Sequence, residues 1–192
     1  MKERIPLAEA KALADELVHL IGPRCKRLLI GGSIRRRRPD PGDIEILYEP
    51  SFEKTGEDLF GDPSFHNSTF AYLNMLKADG VLSDRGDVNG RPAWGERYQR
   101  GTFKDFAIDL YANMDPNQWG IHMAIRTGGE EFSKALVTSR LEGGLLPPGC
   151  RIGSGWQFFD GVKGKVEVPD EETLFHLLEI DFIAPERRRW PL

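Results

Sequence analysis

Between residues 31 and 47 the chain reads GGSIRRRRPDPGDIEIL, and this stretch holds the residues best suited to do chemistry. Asp43 and Glu45 sit two apart in an apolar run. On a strand they share one face, while Ile44 and Ile46 take the other. Two carboxylates held that close repel each other unless a cation lies between them. A divalent ion such as Mg2+ suits the position, because it prefers oxygen ligands and commonly takes one or two carboxylates together with substrate phosphates. A third carboxylate would allow two ions to be held, the arrangement that serves in-line phosphoryl transfer. Asp109, inside FAIDLY, is the candidate, since an aspartate between Ile108 and Leu110 is costly to bury without a partner.

The preceding residues complement this acidic row. Gly32 has no Cβ, so backbone N–H groups near it can approach an anion closely. A helix starting near Ser33 would add its dipole. Arg35 and Arg36 could grip phosphate oxygens with paired donors. The four-arginine run then has a purpose in a chain whose net charge is −4: the cations hold a polyphosphate and the carboxylates hold the metals it shares. That negative charge excludes nucleic-acid binding by bulk charge alone, but not a local basic groove. The four histidines and two cysteines, Cys25 and Cys150, form no metal-ligand spacing and no disulfide framework.

These residues need elements to position them. The spacing of Leu7, Ala10, Leu13, Ala14, Leu17, Val18 and Ile21 predicts an amphipathic helix over 7–21, ended by Gly22 and Pro23. Strands are expected over 27–31, 43–48 and 103–111, and helices over 69–79, near 130–141 and over 171–178, the last capped by Asp170. The Gly-, Asp- and Arg-rich stretch 80–101 reads as turns around short strands, and FFDGVKGKVEV as a hairpin. No apolar run approaches the roughly 20 residues that span a bilayer, and the charged N-terminus has no signal-peptide core, so an intracellular, cytoplasmic protein is expected. The organisation is α+β: a unit over 1–115 with a mixed sheet, then a smaller α+β unit over 116–192.

Taken together, Gly32-Ser33-x-Arg35-Arg36, a short turn, and Gly42-Asp43-x-Glu45 resemble the motif of the family X DNA polymerases, the polymerase beta-like nucleotidyltransferases. Asp109 matches the family's third carboxylate. TGGEEFSK, with Thr127, Gly128, Gly129, Phe132 and Lys134, is similar to its thumb motif, PERR at 185–188 resembles its closing segment, and ERIP resembles the opening of its palm. The resemblance implies a palm over 1–115 and a thumb over 116–192, without the lyase and fingers regions of longer relatives. It implies transfer of a nucleotide from a dNTP, releasing pyrophosphate, to the 3′-hydroxyl of a primer-template or gapped DNA, by a monomer that two Mg2+ or Mn2+ ions serve. Asp43, Glu45 and Asp109 would be catalytic and metal-binding. Gly32, Ser33, Arg36, Gly42, Arg4 and Gly128 would hold the nucleotide, with a cis peptide between Gly128 and Gly129. Arg97, Tyr98, Arg100 and Lys134, with Lys163 and Lys165, are candidate nucleic-acid contacts, and Trp94 is the candidate stacking platform.

The chain departs from the family pattern in ways that bear on substrate. Glu45 replaces an aspartate and adds a methylene to the metal geometry. Ile125 and Arg126 stand where a Tyr-Phe pair excludes the ribose 2′-hydroxyl, so ribonucleotides are expected to be accepted too. Ser133 and Val137 replace residues that read the nascent base pair, which implies low fidelity. Ala107 stands near the position of an arginine that orients the catalytic aspartate. Two other readings compete: a template-independent transferase that tails RNA or DNA or modifies a small acceptor, and a catalytically weak nucleic-acid-binding module.

Overall fold

The computed structural model describes residues 3–57, 60–86 and 89–191. It is a mixed α+β fold with a mixed sheet and, among these residues, six helices. Helix α1 (Leu7–Ile21) leads into β1 (Cys25–Ile30), and a single helical turn, α2 (Gly32–Arg35), joins it to β2 (Ile44–Pro50). An exposed hairpin follows, β3 (Phe52–Glu57) with β4 (Pro63–Asn67). Helix α3 (Ser68–Ala78) starts where Asn67 Oδ1 accepts the N–H of Phe70 at 2.9 Å. Then come β5 (Leu82–Asp84), β6 (Trp94–Gly95), β7 (Tyr98–Phe103) and β8 (Phe106–Ala112). The main sheet runs β1-β2-β8-β7-β5, with β6 added on β7. All its pairs are antiparallel except β2 with β8.

The second half holds α4 (Trp119–Thr127), α5 (Glu130–Val137), a small sheet of β9 (Arg151–Ile152), β10 (Phe158–Asp160) and β11 (Gly164–Val166), and α6 (Glu171–Leu177). Asp170 caps α6 by accepting the Thr173 N–H at 2.7 Å.

Three elements differ from the sequence expectation. The single strand over 103–111 is two strands that meet at Lys104 and Asp105. Both turn residues have positive φ, 48° and 64°, which is the two-residue turn that matches the twist of an antiparallel pair. Helix α4 was not expected, and its Trp119, Ile121, His122, Met123, Ala124, Ile125 and Thr127 are all buried. The helix expected near 130–141 stops at Val137, and a 3-10 turn over Arg140–Glu142 follows.

Two main cores divide the molecule. Ala10, Ala14, Leu17 and Ile21 of α1, with Leu73 and Leu76 of α3, cover the face of the main sheet that carries Ile44, Ile46, Ile108 and Leu110. The second core joins Ile121, Phe132, Leu136, Phe158, Val168, Leu174 and Phe175. On the other face of the main sheet, Leu47 packs with Trp119 and Met123, with Tyr111 against them, so α4 is the element that seats the second half on the first. At Gly120 this α4 approaches the chain so closely that a Cβ would lie 1.9 Å from the Asp170 carbonyl oxygen. Among the described residues no helix is long and apolar enough to cross a membrane. Cys25 and Cys150 are free thiols.

Candidate functional site

The parallel register of β2 and β8 sets Glu45 directly beside Asp109, with Ile44 beside Ile108 on the opposite face. Asp43 lies two residues before Glu45, just ahead of β2. Burial first, then the charges of Asp43 and Asp109, push the Glu45 carboxyl up to about 7. Arg126 and Arg36 act in the opposite direction but do not offset burial and the two neighbouring carboxylates. The fold also tucks Glu45 against Gly32, where φ is 58° and a Cβ would lie 2.0 Å from Glu45 Oε2. Glycine is required there both for its left-handed backbone and for the carboxylate's approach.

Asp109 is held from the neighbouring strand. Tyr98 donates its hydroxyl proton to Asp109 Oδ1 at 2.7 Å, and Arg100 Nε stands 3.7 Å from the same oxygen. Burial and that hydrogen bond push the Tyr98 phenol up to about 12, so it stays a donor. Arg100, expected to meet nucleic acid, instead flanks Asp109, to which the register of β7 against β8 pairs it. Ala107, two residues before Asp109, shares its face of β8, but its side chain is too short to reach the carboxylate.

A cleft of about 440 Å³ brings together six of the expected residues: Arg4, Ser33, Arg36, Gly42, Asp43 and Glu45. Ser33 Oγ and Arg36 Nε are buried there without a hydrogen-bond partner among the described residues. Arg4 donates to the Asp40 carbonyl at 2.8 Å and remains exposed. The donors suit an anion, although α2 is only one turn long and supplies little dipole.

The two arginines of the motif mainly bind the second half of the chain. Arg35 reaches Thr127 Oγ1 at 2.6 Å and grips both carboxylate oxygens of Glu171, at 3.0 and 2.5 Å. Arg35 is therefore not the phosphate ligand that the sequence suggests. Arg36 Nη1 donates to the carbonyls of Thr127 and Gly128 at 2.6 and 2.8 Å. The Gly128–Gly129 peptide is trans, contrary to expectation, and the cis bond among the described residues is Trp190–Pro191. Both glycines lie in ordinary extended backbone, and the Gly128 carbonyl is occupied by Arg36. This departs from the thumb pattern of the family.

Among the remaining expected residues, Arg97 is exposed at the edge of β7, and Lys134 is exposed in the last turn of α5. Lys165 pairs with Asp115 at 2.6 Å. Ser133 donates to the Ile125 carbonyl at 2.7 Å, which occupies it away from any base pair. Trp94 packs partly buried on the first core, donates its indole N–H to Asn74 and has Lys77 over its ring. Sequence reasoning missed Tyr111 and Trp156 and singled out Arg126 only at the sugar-reading position; the three gather through the strand register and the fold of the second half.

The donors Asp43, Glu45 and Asp109 are all carboxylate oxygens, the chemistry a hard divalent ion selects, and the raised Glu45 carboxyl is the electrostatic sign of that fit. Among the described residues no group of three or more His, Cys, Asp or Glu side chains is arranged to hold a metal ion, and Asp109 is turned to Tyr98 and Arg100.

The titration of Glu45 has a direct consequence for the metal-free protein. Its folded-state carboxyl binds a proton more tightly than the unfolded chain, where it titrates near 4.5. The stability from this group is complete below about 4.5 and is lost as pH rises through about 7. Urea melts in chelator across that window are expected to show Glu45→Gln losing this pH dependence. A variant curve parallel to the wild type would contradict it. Neither models of protein families nor curated proteins provide a match to this chain.

Proposed function

We propose that the chain transfers a nucleotide from a nucleoside triphosphate to the 3′-hydroxyl of a nucleic acid, as a small template-directed DNA polymerase of the family X kind acting on primer-template or gapped DNA. The observation that carries this reading is the placement of Glu45 beside Asp109, next to a cleft where Asp43 and Glu45 meet Arg4, Ser33 and Arg36. Asp43, Glu45 and Asp109 would hold two Mg2+ ions, or Mn2+ in their place, which when bound polarise the phosphate and neutralise charge on the leaving pyrophosphate.

The chain's own residues do the rest. Arg4, Ser33 and Arg36 hold the triphosphate oxygens, and Gly42 lets the backbone approach them. Asp109 takes the proton from the acceptor hydroxyl. The hydroxyl oxygen then bonds to the α-phosphorus as the bond to the bridging oxygen of pyrophosphate breaks. Tyr98 and Arg100 keep the Asp109 carboxylate aimed, since both contact one of its oxygens. Ile125 is buried and Arg126 lies over Tyr111, so neither presents the aromatic ring that would bar a 2′-hydroxyl. Ribonucleotides are expected as substrates alongside dNTPs.

Extension of a labelled primer with each dNTP and rNTP, with and without template, tests the proposal. Templated addition with Mg2+ or Mn2+ supports it. Addition without a template would select the tailing alternative, and no addition under any condition would leave only a binding role and overturn it.

A further inference from the structure

A cation lies across the acidic row, and the nucleotidyl-transfer reading gives it no task. Gly31 donates its N–H to the Glu45 carbonyl at 2.7 Å, and a Cβ on Gly31 would lie 2.8 Å from the Arg126 carbonyl oxygen. The Arg126 backbone therefore starts on the β1–β2 side, close to Glu45. Its guanidinium ends 3.7 Å over the ring of Tyr111 on β8 and 5.3 Å from the Trp156 ring. Because β2 lies between β1 and β8, the Arg126 side chain crosses β2. Tyr111 pairs with Leu47 as Asp109 pairs with Glu45, two residues earlier on each strand. All four side chains thus share the face that Arg126 crosses.

Ring faces receive the guanidinium, and its Nε is buried without a hydrogen-bond partner. Arg36 and Arg100 differ, since Arg36 donates to the carbonyls of Thr127 and Gly128, and Arg100 flanks Asp109. Burial, and then the Arg126 charge, push the nearby His122 ring down to about 3, so it adds no second cation. Of the two charges that pull the Glu45 carboxyl down, Arg126 acts more strongly than Arg36. A guanidinium has donors only and cannot ligate a metal ion. It acts on an entering cation through space, and in half-buried surroundings that action is weakly screened.

We infer that Arg126 is a resident counter-charge of the acidic row, which steadies Asp43, Glu45 and Asp109 while no ion is bound and weakens the binding of a divalent ion that enters. It is a positioning residue and not a ligand. That the carboxylates take such an ion rests on the proposed function; the placement of Arg126 does not.

The test is Mn2+ binding to the whole chain without nucleotide, read from the electron paramagnetic resonance of the free ion. At about pH 8.5 Glu45 is ionised, so loss of the guanidinium is not answered by a proton. Arg126→Gln is expected to bind Mn2+ about tenfold more tightly than wild type, and Arg126→Lys, which keeps the charge, within about threefold of it. Thermal melts separate charge from packing. In chelator Arg126→Gln is expected to melt below wild type, and saturating Mn2+ to narrow that gap, whereas a lost packing contact would lower both melts alike. Arg126→Met, which keeps the stem on Tyr111 without the charge, takes the place of the glutamine variant if that one does not fold. Equal or weaker binding in Arg126→Gln, or an equal rise in Arg126→Lys, would overturn the inference and leave the ion-binding reading standing. Mn2+ binding to none of these proteins would sink that reading and the inference with it.

Discussion

Glu171→Ala is expected to lower stability by about 3–5 kcal/mol at neutral pH, because it leaves a buried cation without its partner. Arg188 is 2% exposed and donates to Glu171 Oε1 and, through Nε, to the Ile183 carbonyl at 2.9 Å. Its guanidinium lies 5.2 and 5.6 Å from the rings of Phe175 and Phe182. Burial alone would raise the Glu171 carboxyl, but the donors of Arg35 and Arg188 more than reverse it and hold it below its ordinary range. Its folded pKa is depressed, so the stability it contributes is present above the ordinary carboxylate range and is lost as pH falls through the folded value. Urea melts followed by circular dichroism would measure the change. A loss under about 1 kcal/mol would mean that the neighbouring groups satisfy Arg188 without Glu171.

Turnover in Asp109→Asn is expected to fall roughly a thousandfold, within the range that a positioned general base supplies. The amide can still accept from Tyr98, so the fold is expected to survive, but it cannot take a proton or hold a cation. On the proposed reading the triphosphate sits on the other flank, in the cleft lined by Arg4, Ser33 and Arg36, so the nucleotide KM is expected to change little. Single-nucleotide incorporation measured beside a thermal melt separates the chemistry from the fold. Activity within tenfold of wild type, with an unchanged melt, would make Asp109 a structural partner of Tyr98 and Arg100.

Much of the frame was legible because its signals are local. The apolar row of α1 lies over Leu7–Ile21 as its period predicts, and Asp170 caps α6. The carboxylates of β2 and β8 stood out because a charged residue in an apolar strand demands an explanation. Helix α4 was missed because its nine residues begin inside NMDPNQWG, whose Asp, Pro, Asn and Gly read as a break. The Lys104–Asp105 turn was hidden because two polar residues without glycine do not advertise positive φ. The arginine run showed its charge but not its partners, since Glu171 and the carbonyls of Thr127 and Gly128 lie far along the chain. Arg100 and Trp156 depended on register and on long-range packing, which one-dimensional spacing does not carry.

The lone parallel pairing in the sheet, β2 with β8, also governs how the molecule comes into being. Parallel neighbours cannot be closed by a tight turn and need a long crossover. Here that crossover contains β3, β4, α3 and β5 through β7. Glu45 and Asp109 therefore meet only after all of it has condensed, and the entropy of closing so long a loop slows that encounter. A nascent chain that has emerged only as far as α3 owns two of the three carboxylates of the acidic row, Asp43 and Glu45, and gains the third only once synthesis has passed Asp109.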